Sequence, residues 1–312
     1  MIDFSHVSVL LKETIDGLNI KENGIYLDGT LGGGGHSQEI LKKLGEDGKL
    51  IGLDKDIEAI EHTREKLSKY GDKLIIVNED YEFFDRVLDD LGIELVDGIL
   101  LDIGVSSYQF DQGERGFSYN YDAPLDMRMD RNSNLTAKKI VNEYSEDELT
   151  RIFYEYGEEK WAKRIAEFIV YERNNKEIET TFELTEIIKK AIPAAARRDG
   201  GHPSRQVFQA LRIETNDELG KLKRSINRMV KRLNKGGRIA IISFHSLEDR
   251  IAKEEFKELS LDCVCPPEIP KCMCDKRREV KIITRKPIVA SDMELEENHR
   301  ARSAKLRIAE RL

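Results

Sequence analysis

At 312 residues, with 39% apolar and 35% charged residues, the chain is long enough for one large or two modest domains with cores of their own. No apolar run has the length of a signal peptide or of a membrane span, so we expect a cytoplasmic protein without a membrane partner. A net charge of −8 argues against a protein that coats nucleic acid unspecifically, but it allows an enzyme with a local basic face.

A glycine-rich run is the strongest local signal of the N-terminal part. Residues 25–27 predict a short buried strand, residues 28–36 read DGTLGGGGH, and residues 37–41 predict a helix. Four consecutive glycines let the backbone approach a ligand, and the start of the helix adds free N–H groups and a positive dipole end. The run therefore predicts a ligand site and not a mobile surface loop.

The spacing of these glycines excludes two phosphate-binding motifs. No register supplies glycines at relative positions one, three and six, as a dinucleotide fingerprint needs, and His36 stands where a P-loop needs Lys. A second acid, Asp54, ends the next predicted strand, where a carboxylate suits the two hydroxyls of a ribose. A ligand with a ribose and no pyrophosphate fits best. This arrangement resembles the S-adenosylmethionine site of Rossmann-like methyltransferases.

Strands and helices alternate over the first hundred residues. Predicted strands at 49–54, 73–78 and 96–102 are separated by predicted helices at 56–67 and around 83–91. The alternation predicts right-handed βαβ units and a parallel sheet. Ligands of such sheets lie beyond the carboxyl ends of the strands, where Asp28, Asp54, Asp80, Tyr81 and Asp102 stand. Helix capping is the alternative role of a strand-end acid.

After Asp102 the pattern changes to loops and then to helices. Residues 103–130 are polar and Gly-rich, residues 135–192 have helical periodicity, and Ser145 to Glu148 fit a capping box. We interpret this part as an inserted helical substrate domain that could cover the site. The predicted boundaries are 1–107 and 205–312 for the two parts of a methyltransferase domain and 108–204 for the insert.

The sheet pattern returns late in the chain. Residues 216–233 predict an amphipathic helix that Gly236 and Gly237 end, and residues 238–245 predict a fifth strand. Ser246 then either faces substrate or caps the next helix. Residues 280–284 and 304–309 predict a terminal pair of strands. The fold class predicted is α/β, a mostly parallel doubly wound sheet with an inserted all-helical domain.

Long runs in nearly the whole chain resemble the MraW/RsmH family, which methylates the exocyclic N4 of a cytidine in small-subunit (16S) ribosomal RNA with S-adenosylmethionine. The matching runs are 28–30, 34–37, 101–107 with Gln109, 114–117, 124–130, 202–203, 208–213, 243–250 and 302–308. The resemblance implies a Rossmann-like class I methyltransferase fold and cofactor contacts at Gly34, Gly35, His36, Asp54, Asp102 and Gln109, with an aromatic residue near Tyr81. Tyr81 stands where many relatives have Phe, and Tyr108 stands where many have Pro. The implied partner is small-subunit ribosomal RNA or the assembled small subunit, and a homodimer stays open.

Asp102 is also the candidate catalytic residue. A cytosine N4 amine is a poor nucleophile, so an enzyme must orient it and accept the proton that methyl transfer makes acidic. Other amino methyltransferases use a polar residue after the fourth strand, often followed by prolines; here Asp102 is followed by Ile103 and Gly104. The Asp102 carboxylate would accept a hydrogen bond from the amine as positive charge develops. Cofactor binding is the alternative role, and the two roles are compatible.

Four cysteines and a basic run occur near the end of the chain. Cys263, Cys265, Cys272 and Cys274 suit a tetrahedral zinc site in a reducing compartment, although the spacing is not a common finger pattern; reduced structural cysteines are the alternative. A second hypothesis is an RNA-binding face, with a solvated charged edge as its alternative. Its candidate residues are Arg197, Arg198, Arg205, Lys276, Arg277, Arg278, Lys281, Arg285 and Lys286.

The fold and cofactor leave two other functions open. One is a methyltransferase that acts on DNA cytosine or on a protein side chain. The other is a non-enzymatic nucleotide-binding module.

Overall fold

The computed structural model describes residues 8–104, 113–197, 201–266 and 272–312. It divides into two compact units. We call Met1–Gly104 with Leu219–Leu312 the sheet unit, and Val105–Glu218 the insert. None of the helices within the described ranges is long and apolar enough to cross a membrane.

A seven-stranded sheet forms the centre of the sheet unit. Its strands are β1 (Ile25–Asp28), β2 (Lys49–Asp54), β3 (Leu74–Asn78), β4 (Val96–Asp102), β5 (Leu233–Ser243), β6 (Val280–Ile282) and β7 (Lys305–Arg311). They lie in the order β3-β2-β1-β4-β5-β7-β6. Strands β1 to β5 pair in parallel, and β7 runs antiparallel to both β5 and β6. The predicted mostly parallel, doubly wound sheet and the terminal pair of strands are confirmed.

Both faces of this sheet are covered by apolar residues. Successive side chains of a strand point to opposite faces, so alternate residues enter two different cores. One core contains Leu27, Ile51, Leu53, Ile99 and Leu101, and the other contains Tyr26, Leu50, Leu100, Ala240 and Ile242. The central strands therefore hold their carboxyl ends in fixed register.

Helices flank the sheet and build the insert. Among the described residues the α-helices are, in chain order, α1 (Leu11–Leu18), α2 (Gly35–Lys43), α3 (Ile57–Lys66), α4 (Phe84–Asp90), α5 (Ala137–Glu143), α6 (Glu146–Glu155), α7 (Ala162–Arg173), α8 (Thr181–Ala191), α9 (Arg205–Asn216), α10 (Glu218–Lys231), α11 (Ser246–Leu259) and α12 (Asp292–Glu297). The predicted capping box at the start of α6 is confirmed, because Ser145 and Glu148 each bond the other's backbone N–H.

Helix α9 belongs to the insert, whereas the sequence boundary at 204/205 put it in the methyltransferase domain. Its residues Val207, Phe208 and Leu211 are buried in the core that also contains Leu149 and Phe153 of α6. Periodicity identifies the apolar face of a helix, but it does not say which core that face enters. The insert of the structure is therefore longer at its C-terminal end than the predicted one.

Two polar side chains fix a long loop of the insert. Arg115 is 6% exposed and donates to the carbonyls of Arg128 and Met129 at 2.8 and 3.1 Å. The Asn216 side chain accepts the N–H of Met129 and donates to the carbonyl of Met127, each at 2.8 Å. Buried backbone groups need such partners. The runs 114–117 and 124–130, which carry part of the family resemblance, thus have a structural role.

Strand β5 begins at Leu233, earlier than the predicted start at 238. Leu233 pairs with Val96 and Arg238 pairs with Gly98, so the intervening residues form an irregularity in β5. Gly236, with a φ of 77°, lies in this irregularity, although the sequence pattern indicated a helix end there. A bulge needs a residue that tolerates positive φ, and glycine does so without strain.

Candidate active site

The glycine run forms a turn that is tied to two neighbouring strands. The N–H of Gly29 donates to the carbonyl of Leu100 in β4 at 2.9 Å, and the N–H of Leu31 donates to the carbonyl of Leu53 in β2 at 2.8 Å. These bonds continue the ladders beyond the end of β1. The turn therefore lies at the carboxyl ends of β1, β2 and β4, where the sequence predicted a ligand site.

The glycines of this turn have different surroundings. Gly34 has a φ of +69°, and a Cβ there would lie 2.6 Å from Thr63 Cγ2. A Cβ on Gly35 would lie 1.9 Å from Ser8 Oγ, whereas no atom lies within 4 Å of the Cβ position of Gly33. Gly34 and Gly35, the predicted cofactor glycines, are thus required by the packing of the turn. Gly33 is exposed, and among the glycines of this turn only Gly33 has open space where a Cβ would lie.

Asp54 ends β2 and holds the turn through one of its oxygens. Its Oδ2 accepts the N–H of Gly32 at 2.8 Å, and its Oδ1 accepts the N–H of Asp56 at 2.9 Å. Burial raises the pKa of Asp54, although these two N–H groups favour the charged form. An ionised carboxylate has about four acceptor positions, so about two remain for further donors such as a ribose diol.

Two other strand-end acids have structural roles. Asp28 is 1% exposed and accepts the Ser37 hydroxyl at 2.6 Å and the N–H of Thr30 at 3.1 Å. Asp80 caps the short helix that follows β3 and pairs with Lys221 Nζ at 2.9 Å. Burial alone would raise the pKa of Asp80, but nearby ammonium groups outweigh it and lower the pKa. Local hydrogen bonds account for Asp28, and capping and ion pairing account for Asp80.

The remaining predicted cofactor residues are Tyr81 and Gln109. Tyr81 is 8% exposed and lies beside the turn, since a Cβ on Gly29 would be 3.1 Å from Tyr81 Cβ. Gln109 lies outside the described residues, as does Tyr108. A cofactor contact at either position stays a prediction.

Asp102, at the end of β4, combines burial with an unused acceptor. Its Oδ1 is buried and has no hydrogen-bond partner among the described residues, and its Oδ2 lies 3.6 Å from His36 Nδ1. Burial raises the pKa of Asp102 to about 7, and the negative charge of Glu248 adds to the shift. Asp102 thus exchanges a proton near neutral pH, unlike an ordinary aspartate.

The neighbouring His36 is a buried imidazole, 5% exposed, at the start of α2. Its Nε2 lies 3.0 Å from the carbonyl oxygen of Val9, which can only accept, so Nε2 carries the proton and Nδ1 presents a lone pair. Burial lowers the pKa of His36 despite the attraction of Asp28. The structure places the side chain of His36 beside Asp102, and the predicted cofactor contact of His36 stays a prediction.

A second acid–histidine pair follows β5. Glu248 is fully buried, and its Oε2 accepts the N–H groups of Phe244 and His245 at 2.8 and 3.2 Å. His245 Nε2 lies 3.0 Å from Glu248 Oε1. His245 caps α11, so Ser246 is the first helical residue and not the cap. The sequence singled out the strand end but missed Glu248; an acid three residues after His245, in a capping box, was the available signal.

The structure brings the four cysteines together and leaves the basic residues exposed. The Sγ atoms of Cys263, Cys265, Cys272 and Cys274 all lie within 4.8 Å of one another. Of the candidate RNA-binding residues, Lys276 is partly exposed, Arg198 lies outside the described residues, and Arg197, Arg205, Arg277, Arg278, Lys281, Arg285 and Lys286 are exposed. Contact with RNA stays a prediction.

Comparison with known families shows to which family the chain belongs. The profile of the MraW methylase family matches residues 3–312. The chain belongs to the MraW methylase family. It is therefore a methyltransferase with the class I fold, as the sequence predicted, and not a non-enzymatic nucleotide-binding module.

Curated relatives of this MraW methylase match along their whole length. A protein of Halothermothrix orenii is 58% identical over 307 residues, which cover 98% of each chain. One of Lachnospira eligens is 56% identical over 312 residues, 100% of this chain and 99% of the relative, and one of Clostridioides difficile is 55% identical over 311 residues, 100% of both. All three relatives are named ribosomal RNA small subunit methyltransferase H.

Proposed function

We propose that this methylase transfers the methyl group of S-adenosylmethionine to the exocyclic N4 of a cytidine in small-subunit (16S) ribosomal RNA, in the cytoplasm. The substrate is naked RNA or the assembled small subunit. The names of the relatives support the ribosomal substrate. The observation that carries the chemical part is Asp102, a carboxyl at the end of β4. Its buried Oδ1 has no hydrogen-bond partner among the described residues, and its pKa is raised to about 7.

The described residues fit S-adenosylmethionine, which supplies an electrophilic methyl group on a sulfonium. The acceptor positions left on Asp54 suit its ribose hydroxyls. The open backbone at Gly33 allows a ligand to approach the turn. Tyr81 lies beside the same turn, and an aromatic ring at this position would suit stacking on an adenine. No pyrophosphate-binding group is needed for this cofactor, in agreement with the glycine spacing.

The chemistry requires a group that accepts a proton from the amine. The amine nitrogen would form the new N–C bond as the bond between the methyl carbon and the sulfonium sulfur breaks, and the sulfur would keep that electron pair as a thioether. The N–H proton that becomes acidic would go to Oδ1 of Asp102, which has no hydrogen-bond partner among the described residues. A base with a pKa near the working pH transfers protons efficiently. His36 Nδ1, 3.6 Å from Oδ2, presents a lone pair that favours the protonated form of Asp102 once the proton has been accepted. The proton thus moves from amine nitrogen to carboxylate oxygen.

The RNA is expected to contact exposed basic residues of the chain. Arg277, Lys281, Arg285 and Lys286 follow the cysteines closely, and Arg197 and Arg205 are exposed in the insert. Phosphate contacts of Lys and Arg supply most of the salt-dependent affinity for RNA. Methylation of DNA cytosine or of a protein side chain is the rival activity.

Labelled methyl transfer tests this function. Ribosomal RNA from cells that lack the activity, small subunits from the same cells, cytosine-containing DNA and total protein are each incubated with enzyme and labelled cofactor. We expect label only in the ribosomal samples and, after digestion to nucleosides, only in N4-methylcytidine. Label in another nucleoside would contradict the proposed atom, and label in DNA or protein alone would contradict the substrate.

A further inference from the structure

The described residues between α11 and β6 have no core of their own. None of these residues, 260–266 and 272–279, is buried, and none lies in a helix or strand before β6. Val264 is 55% exposed and Met273 is 82% exposed. Apolar burial is the usual source of order in a folded chain. The described part of this segment lacks that burial, and the four cysteines occupy its two halves.

The sulfur atoms of the four cysteines are spaced as ligands of one ion. Sγ of Cys263 lies 3.4 Å from that of Cys272 and 3.7 Å from that of Cys274, and the sulfurs of Cys272 and Cys274 lie 3.6 Å apart. A tetrahedral zinc with bonds of about 2.3 Å places its sulfurs about 3.8 Å apart. A disulfide would need about 2.05 Å. All four thiols are free.

Backbone donors point at the same sulfur atoms. The N–H of Cys265 lies 3.4 Å from Cys263 Sγ, that of Val264 lies 3.5 Å from Cys274 Sγ, and that of Met273 lies 3.4 Å from Cys265 Sγ. Outer hydrogen bonds of this kind orient metal ligands and offset the negative charge of thiolates. Neutral thiols packed for shape alone would not require donors at three of four sulfurs.

We propose that Cys263, Cys265, Cys272 and Cys274 bind one zinc ion as thiolates. Because the chain supplies all four ligands, no coordination position stays open for substrate, and the site is structural. Each half of the segment provides two ligands, so the ion closes the loop between α11 and β6. The N–H of Glu279, just before β6, donates to the carbonyl of Leu259 at 2.8 Å and holds the two ends of the loop together. The ion would join the two halves of the chain between these ends. The site is independent of the RNA substrate proposed above.

Metal content and cobalt substitution of the full chain test this site. We expect about one zinc ion per chain by elemental mass spectrometry after gel filtration, and intense thiolate-to-cobalt absorption with tetrahedral bands when Co²⁺ replaces it. Cys272→Ser should lose both signals. Met273→Ala, a change at an exposed side chain beside the same ligand, should keep both.

A folding defect of Cys272→Ser does not affect the test, because the metal content and cobalt spectrum of the unaltered chain decide it. Stripping the metal should also speed proteolysis within residues 260–279, and added Zn²⁺ but not Mg²⁺ should reverse this. The site would be refuted by a chain that takes up neither Zn²⁺ nor Co²⁺. It would equally be refuted by cysteines found paired as disulfides in freshly isolated protein.

Discussion

In the proposed reaction, Asp102 would serve chemistry at the expense of stability. One oxygen of its carboxyl, Oδ1, is buried, and the other lies 3.6 Å from Nδ1 of His36. No cation is among the groups that shift the pKa of Asp102. The sequence predicted the position of Asp102 from the end of a strand. It could not predict the pKa, because burial and the proximity of the Glu248 charge depend on the folded chain.

We expect Asp102→Asn to lower kcat by about a hundredfold or more, because an amide cannot accept the proton of the amine. Cofactor affinity should fall much less. In the unaltered enzyme the single-turnover rate should rise with pH up to about 7, where the carboxylate becomes the main form. Single-turnover methylation at saturating cofactor measures both effects. A near-normal rate in the variant would leave Asp102 as a binding residue only.

The same substitution should stabilise the fold at alkaline pH. The pKa of Asp102 is raised from 3.8 to about 7, so stability begins to fall as pH rises above the unfolded value of 3.8, and the loss is complete above about 7, where both states are ionised. Asp102→Asn should therefore raise the free energy of unfolding by about 2–4 kcal/mol near pH 8 and by much less near pH 4. Urea denaturation at the two pH values measures this.

Asp97 provides a control of opposite sign. Burial alone would raise its pKa, but bonds from Lys21 Nζ and the N–H of Ile25, at 2.8 and 3.1 Å, lower it. A lowered pKa stabilises the fold above the unfolded value and loses this effect as pH falls. Asp97→Asn should thus destabilise the protein near pH 8. Equal effects of the two substitutions would show that the charge of Asp102 is not opposed by its surroundings.

Asp54 should determine cofactor affinity. Loss of a charge-assisted pair to the ribose costs about 1.5–3 kcal/mol, so Asp54→Ala should weaken binding of S-adenosylmethionine about tenfold to a hundredfold by calorimetry. Asp54 also accepts the N–H of Gly32, so its loss disturbs the turn as well. Thr63→Val is the control, because it removes a hydrogen bond of 2.7 Å to the carbonyl of Gly32 and leaves the carboxylate in place. Equal losses in both variants would indicate that the turn, and not the diol, is responsible.

At the scale of elements, the sequence was most informative where a strand ends at a turn. Asp28, Asp54 and Asp102 were all predicted at strand ends, because apolar runs end abruptly there and the parallel register then brings the ends together. The start of β5 was missed, since Gly236 marks a bulge in one context and a helix end in another. A local sequence pattern predicts that regular structure is interrupted at a residue. Only the pairing with the neighbouring strand shows whether the interruption is a bulge or a helix end.

The glycine turn yields a prediction that separates strain from ligand approach. Gly34→Ala forces a Cβ onto a φ of +69° and against Thr63, so it should lower the free energy of unfolding by about 1–3 kcal/mol. Gly33→Ala meets open space and should leave stability unchanged while weakening the cofactor, if the ligand passes this position. Thermal unfolding and calorimetry of both variants measure the two effects. Unchanged cofactor affinity in Gly33→Ala would place the ligand elsewhere along the turn.

At the scale of the whole molecule, the chain interrupts its sheet with a unit that has a separate core. Buried residues of the insert run from Phe117 and Met127 to Phe208 and Leu211 within one cluster. The sequence showed where helical periodicity begins, but the C-terminal boundary depends on where α9 packs. Removing residues 135–192 alone would therefore expose apolar residues before and after the deletion that are buried in that cluster.

Replacement of the whole insert, Val105–Glu218, by a short flexible linker tests whether the sheet unit binds the cofactor and the insert serves the RNA substrate. Asp54, Tyr81 and Asp102 all belong to the sheet unit, so a folded deletion variant should bind S-adenosylmethionine within about tenfold of the full chain. RNA methylation should disappear, because the insert is the proposed substrate domain.

Gln109→Ala in the full chain is the control. Its affinity for S-adenosylmethionine, measured by calorimetry, gives the part of any affinity loss that comes from this one deleted residue. Full RNA activity of the deletion variant would rule out a substrate role for the insert. A loss of cofactor binding far beyond that of Gln109→Ala would show that the sheet unit does not form the cofactor site alone.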